Sequence, residues 1–174
     1  MRFSARKLTI MAALTAAASI IFIIEAHIPL PIPAPGVKLG LANAVTLFAL
    51  FYRRGAGGGA QGLTAADAFM ILVCRILLGA LFTGRIIAFA FSISGGLLGF
   101  AAQAAMRRFV TDKQIWACGA VGAVFHNIGQ ILAAIALTGT PAIASYLPVL
   151  VVAGIVTGTM TGLAAQLALT RIGR

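Results

Sequence analysis

The chain has 174 residues, 61% of them hydrophobic and only 9% charged, with thirteen Lys and Arg against three Asp and Glu. That composition excludes an ordinary soluble domain and describes a polytopic membrane protein. The formal charge of +10 does not point to nucleic acid, because the basic residues stand in pairs and triplets between apolar segments rather than in a run or on a polar face.

Apolar windows of about 20 residues predict six membrane segments, near 8–27, 39–52, 63–83, 86–105, 115–137 and 146–168, in a single membrane domain covering 1–174. In the first, Arg2, Arg6 and Lys7 precede an apolar stretch from Leu8 to Ile24. The stretch is longer than a signal-peptide core and no small-x-small cleavage site follows it, so it stays as a helix. Its interleaved pairs Ala12/Ala16 and Ala13/Ala17 make a smooth face, which either packs inside the bundle or docks on a partner membrane protein.

Between the first two segments runs IPLPIPAPGVKLG, where Pro29, Pro31, Pro33 and Pro35 remove amide donors and hold the chain extended. It is either a stiff outer connector or a lid carrying Glu25, His27 and Lys38 over a pocket in the outer leaflet. The second segment is too short to cross alone: its 14 residues rise only about 21 Å, against a hydrocarbon core of about 30 Å. Asn43 and Thr46 in it are placed to line a cavity. The following RRGAGGGAQG reads as a flexible cytoplasmic linker, since no Lys-Ser/Thr completes a phosphate-binding loop.

The third segment holds the residue that most needs explaining, Arg75, in the middle of the apolar run from Leu63 to Phe82. A guanidinium at the bilayer centre costs from about 2.5 to more than about 10 kcal/mol, so it faces a bundle interior or watery cavity with a partner, unless it snorkels or ties two helices together. Its candidate carboxylates are Glu25 and Asp67, because Asp112 lies in a polar loop. Cys74 and Cys118, both inside spans, lack any metal-ligand spacing and read as small packing residues, and no metal or cofactor motif is present.

The fourth segment carries Gly95 and Gly99 and the last Gly154, Gly158 and Gly162, four-residue stripes that let backbones approach closely. The fifth carries HNIGQ, which places His126, Asn127 and Gln130 on neighbouring strips of one face about halfway across. Three large polar side chains at midplane must bond one another, other helices or a ligand. With Arg75 on another helix, they read as a pocket wall.

Placing the N-terminus in the cytoplasm puts Arg2, Arg6, Lys7, Arg53, Arg54, Arg107, Arg108, Lys113, Arg171 and Arg174 inside and only Lys38 and Arg85 outside. That positive-inside bias, with an even number of crossings, puts both termini in the cytoplasm. Tyr52 and Trp116 then mark inner ends and Tyr146 an outer one.

The strings PGVKLGLANAVTLFAL, RILLGALFTGR, FSISGGLLG and GAVFHNIGQ resemble the membrane family known as Gx transporters, also labelled heptaprenyl diphosphate synthase component I, over about residues 8–168. That family is similar in size, six-helix layout and alanine-rich first helix to the S components of energy-coupling-factor vitamin transporters. The resemblance implies an outward-facing pocket under the first loop and a partner T subunit driven by cytoplasmic ATPases. Carried over position by position, its motif residues are Lys38, Asn43, Arg75, Gly79, Arg85, Ser92, Gly95, Gly96, His126, Asn127 and Gln130.

The synthase label is tested by chemistry. Prenyl chain elongation needs carboxylate clusters that hold magnesium against the diphosphate, and this chain has only Glu25, Asp67 and Asp112. It is not the catalytic subunit. The expectation is an all-α, S-component-like bundle of the bacterial cytoplasmic membrane, binding a small solute through Glu25, His27, Lys38, Asn43, Arg75, Arg85, His126, Asn127 and Gln130, without cofactor or nucleic acid. The excess of cations over carboxylate near the pocket favours a ligand with an anionic or carbonyl group. The alternatives are a non-catalytic subunit handling a polyprenyl or quinone lipid and a structural subunit of a membrane redox complex.

Overall fold

The computed structural model describes residues 4–25, 40–52, 62–84 and 86–172. Among these residues it is entirely helical: α1 (Ala5–Glu25), α2 (Leu41–Phe51), α3 (Ala65–Thr83), α4 (Ile86–Met106), α5 (Ile115–Thr138), a 3-10 helix (Pro141–Tyr146) and α6 (Leu147–Ile172). Five of them are long and apolar enough to cross a membrane, and α2 is the shorter apolar one. The protein is therefore a multi-pass membrane bundle. The first and last helices extend beyond their predicted segments on the basic side, and the last begins with a 3-10 turn that has Pro141 at its start. The Pro-rich loop and the glycine linker lie outside the described residues.

Helix ends are set by local chemistry. Thr64 caps α3 reciprocally: its hydroxyl oxygen accepts the Asp67 N–H at 3.3 Å, while the Asp67 carboxylate accepts the Thr64 N–H at 2.7 Å. Gly84 and Gly139 end α3 and α5 with φ of 62° and 65°, values that strain any side chain with a Cβ. Asp67 also pairs with Lys7 at 2.7 Å, tying the first turn of α1 to that of α3. Asp67 is thus not the partner of Arg75, which lies two turns further along the helix.

The buried apolar cluster gathers Met11, Leu50, Phe51, Leu63, Ile115 and Cys118, which come from the start of α1, the end of α2, and the starts of α3 and α5. The core is therefore concentrated at the end of the bundle that also carries Arg6, Lys7, Arg107, Arg108, Lys113 and Arg171. Arg107 lies 5.9 Å from the Phe51 ring centroid, so one collar cation is held against the core itself. Cys118 is buried, whereas Cys74 is exposed and faces away from the bundle, which corrects its reading as a packing residue.

Packing is uneven. The most extensive helix contacts are α4 with α5 and α5 with α6. They are made backbone to backbone: a Cβ on Gly158 would come within 2.5 Å of the Gly119 carbonyl oxygen, one on Gly162 within 2.6 Å of Trp116 Cα, and one on Gly99 within 2.7 Å of the Gly122 carbonyl oxygen. The predicted glycine stripes of α4 and α6 are thus internal packing surfaces. By contrast α3 meets α4 through side chains, with Ile76 Cδ1 over Gly96 and Phe69 against Phe100 at 5.6 Å. The result is a fused α4–α6 unit with α1–α3 laid against it.

The small-residue face of α1 does not serve that packing. Ala12, Ala13 and Ala16 are exposed and Ala17 is half-buried, so the stripe points out of the bundle.

Candidate functional site

Arg75 is 4% exposed and reaches from α3 to α2, donating from Nη2 to Asn43 Oδ1 at 3.2 Å. Its guanidinium carbon sits 5.9 Å from the Phe22 ring centroid, so α1 supplies an aromatic face to the cation. Among the described residues its Nε has no hydrogen-bond partner. Glu25 at the end of α1 is the carboxylate whose charge acts on Arg75. Glu25 is itself buried and accepts the Gly40 N–H, and Gly40 O accepts the Asn43 N–H at 2.8 Å. Glu25, Gly40, Asn43 and Arg75 therefore form one connected polar group on the α1–α3 side.

The facing group comes from α4–α6. Asn127 donates from Nδ2 to the Leu150 carbonyl oxygen at 2.7 Å, joining α5 to α6. His126 is half-buried, and its ring and backbone fill the space over Gly95 of α4. Gln130 is buried and packs its Cγ against the same glycine. The three predicted wall residues thus divide their work: Asn127 binds α6, Gln130 fits against α4, and His126 packs its ring on α4 where it lines the cavities shared with Asn43 of α2.

Two small internal cavities lie where the groups meet. One, about 20 Å³, is lined by Gly40, Asn43, Gln103, His126, Asn127 and Thr161 among others. The other, about 10 Å³, is lined by Asn43, Thr46, Leu72, Gly96, Gln103 and His126 among others. Asn43, Gln103 and His126 line both, so the cavities form one seam, and Asn43 carries the Arg75 contact into it. Cavities of this size hold about one water each, whereas a solute site needs about 300 Å³ or more.

Of the predicted binding residues, Glu25, Asn43, Arg75, His126 and Asn127 belong to this seam or its polar border, and Gln130 lies one turn beyond it. His27, Lys38 and Arg85 lie outside the described residues. Gln103 was not foreseen. It is the last large polar side chain of α4, 6% exposed, and its carboxamide lies against the backbone of Gly122. The signal was a carboxamide among alanines, AAQAAM, but it stands close to the basic turn where polar residues are unremarkable. Thr157 and Thr161 of α6 were also missed, being short hydroxyls in an apolar span.

Among the described residues no group of His, Cys, Asp and Glu side chains could hold a metal ion. What the seam and its border offer is a buried cation, carboxamides, the hydroxyls of Thr46, Thr157 and Thr161 and an imidazole, groups able to donate hydrogen bonds to polar oxygen.

A family model described as heptaprenyl diphosphate synthase component I matches residues 14–168, most of the chain. No curated protein and no solved structure matches it.

Proposed function

The chain belongs to the heptaprenyl diphosphate synthase component I family, and on that premise we propose that it is the solute-binding, S-component-like subunit of a transport system in the bacterial cytoplasmic membrane. A small solute with an anionic or carbonyl head enters from the outer face and takes its place between Arg75 and Asn43 on one side and His126, Asn127 and Gln103 on the other. One observation carries this reading: Arg75 is buried in an apolar bundle and, among the described residues, has one hydrogen bond, to Asn43, and an unpartnered Nε. A guanidinium desolvated to that degree, with the Phe22 ring and the Glu25 charge beside it, still has a donor open to an acceptor from outside the protein. ATP hydrolysis belongs to partners, through a T subunit that docks on the exposed Ala12, Ala13 and Ala16 face with half-buried Ala17 at its border.

The test is mass spectrometry of what remains bound after gentle extraction, followed by binding of that compound to Arg75→Lys. A polar compound whose affinity falls in the variant supports the reading; no bound polar compound, or unchanged affinity, rejects it.

A second reading is favoured by a different observation. The family description names a heptaprenyl diphosphate synthase, and an apolar groove of about 420 Å³ opens to the membrane between Leu77, Leu81 and Gly84 of the α3 end and Ile86 and Phe89 of α4. In this reading the chain holds an isoprenoid tail for a second, catalytic component that supplies the carboxylates this chain lacks. Recovery of a polyprenyl or quinone lipid in the same extraction would favour it over solute transport.

A further inference from the structure

Helical Ser and Thr hydroxyls in this protein usually bond the carbonyl one turn back, as Thr15 does to Met11, Ser19 to Thr15, Thr83 to Gly79 and Thr138 to Ala134, at 2.7–2.9 Å. Thr46 departs from this. Its residue is 2% exposed, its hydroxyl has no partner among the described residues, and it lines the smaller seam cavity together with Gln103. A hydroxyl that gives up its own helix and is buried in an apolar bundle must find an acceptor or donor in the space it faces. That space holds about 10 Å³, close to the volume one water needs, and polar groups of Asn43, Gln103 and His126 surround it.

Four inter-helix polar bonds among the described residues each stay within one side of the seam. Arg75 to Asn43 and Lys7 to Asp67 join α1, α2 and α3, while Asn127 to Leu150 and Ser94 to Gly129 join α4, α5 and α6.

We propose that Thr46 and Gln103 are two walls of an ordered-water site in the smaller seam cavity, and that its water holds the place of the solute's polar oxygen. The water site stands on the geometry alone; its replacement by solute rests on the binding reading above. Thr46 presents a donor and acceptor from α2, Gln103 an amide and a carbonyl from α4, and the water completes both. A solute that displaces it must reproduce those bonds, and the Arg75 cation, bonded to the Asn43 that lines the same cavity, selects a head group with a carbonyl or carboxylate oxygen over an amine.

The experiment uses the full chain in lipid nanodiscs. Thr46→Val and Gln103→Leu keep shape and remove the polar groups. If water completes these groups, each variant melts at a lower temperature, and the double variant loses less than the sum, because both single changes expel the same water. If Thr46 is a dry orphan, Thr46→Val melts higher, since an unsatisfied buried hydroxyl has been deleted, and the water site is overturned. Strictly additive losses overturn it as well. A high-resolution map of the unsubstituted protein gives an independent check: density for a water within hydrogen-bond reach of Thr46 Oγ1 supports the site, and an empty cavity rejects it. The solute arm is read separately, with the compound recovered by extraction. A tenfold or greater loss of its affinity in Thr46→Val supports displacement, whereas unchanged affinity with a lowered melting temperature removes displacement and leaves the water site standing.

Discussion

Arg75 Nη2 donates to Asn43 Oδ1 at 3.2 Å, so the one buried cation of α3 is held by a neutral carboxamide of the short helix α2 rather than by a carboxylate. An uncharged acceptor fixes the guanidinium without neutralising it. The charge that acts on it from outside this bond is that of Glu25, at the end of α1.

Replacing Asn43 with Leu removes that acceptor and leaves the guanidinium with the Phe22 face and the more distant Glu25 charge. A hydrogen bond to a charged group contributes about 1.5–3 kcal/mol, so Asn43→Leu is expected to destabilise the bundle by about 2 kcal/mol. Reversible unfolding in mixed micelles measures this. A change below about 0.5 kcal/mol would show that the bond is incidental.

The α5–α6 contact predicts a larger effect from a smaller change. A Cβ at Gly158 would stand 2.5 Å from the Gly119 carbonyl oxygen, a backbone atom that cannot swing away. Gly158→Ala should cost about 2 kcal/mol or more, through helix separation. Ala13→Gly on the exposed face of α1 serves as the control, expected to cost only the helix-propensity difference of about 1 kcal/mol.

Orientation is tested by labelling in a background with Cys74→Ser and Cys118→Ala. The 3-10 helix is exposed and lies at the opposite end from the basic collar. Ala142→Cys should react with an impermeant thiol reagent in intact cells, and Gly57→Cys, beside Arg53 and Arg54, should react only after lysis. Labelling of position 57 from outside would reverse the assignment.

Exposure of Ala12, Ala13 and Ala16 separates folding from docking. Ala13→Leu should leave the melting temperature unchanged within about 2 °C while abolishing co-purification with a T subunit, because added bulk holds two backbones apart. Retained co-purification would remove docking through this face. A collapsed fold would show that α1 is packed more tightly than its exposure indicates.

Asp67 does two jobs at once, capping α3 and pairing with Lys7. Asp67→Ala should therefore cost more than a cap alone, about 3 kcal/mol against about 1 kcal/mol for a lost cap. Thr64→Ala should fall near the lower figure, and equal costs for the two variants would show that the ion pair contributes nothing.

The helices were legible because a bilayer imposes run length, so apolar windows locate them without knowledge of packing. Arg75, His126 and Asn127 were legible for the same reason, as polar groups where hydrocarbon is required. Gln103 was not: it stands only three residues before the end of α4, where a carboxamide can equally face headgroups. The Lys7–Asp67 pair was hidden for another reason. Its members are 60 positions apart and meet only because α1 and α3 start at the same end of the bundle, so Lys7 was legible only as a topology signal and Asp67 only as a candidate for Arg75.

The glycine contacts of α4, α5 and α6 bear on how this protein can diverge. Where two backbones touch, each position tolerates one residue type, and drift in ligand preference cannot begin there. The α1–α3 side meets its neighbours through side chains, which trade volume with one another. New specificities in related chains should therefore arise first at positions 40–47 of α2 and along the α3 face around Arg75, while Gly119, Gly158 and Gly162 stay fixed as the frame against which such changes are tried.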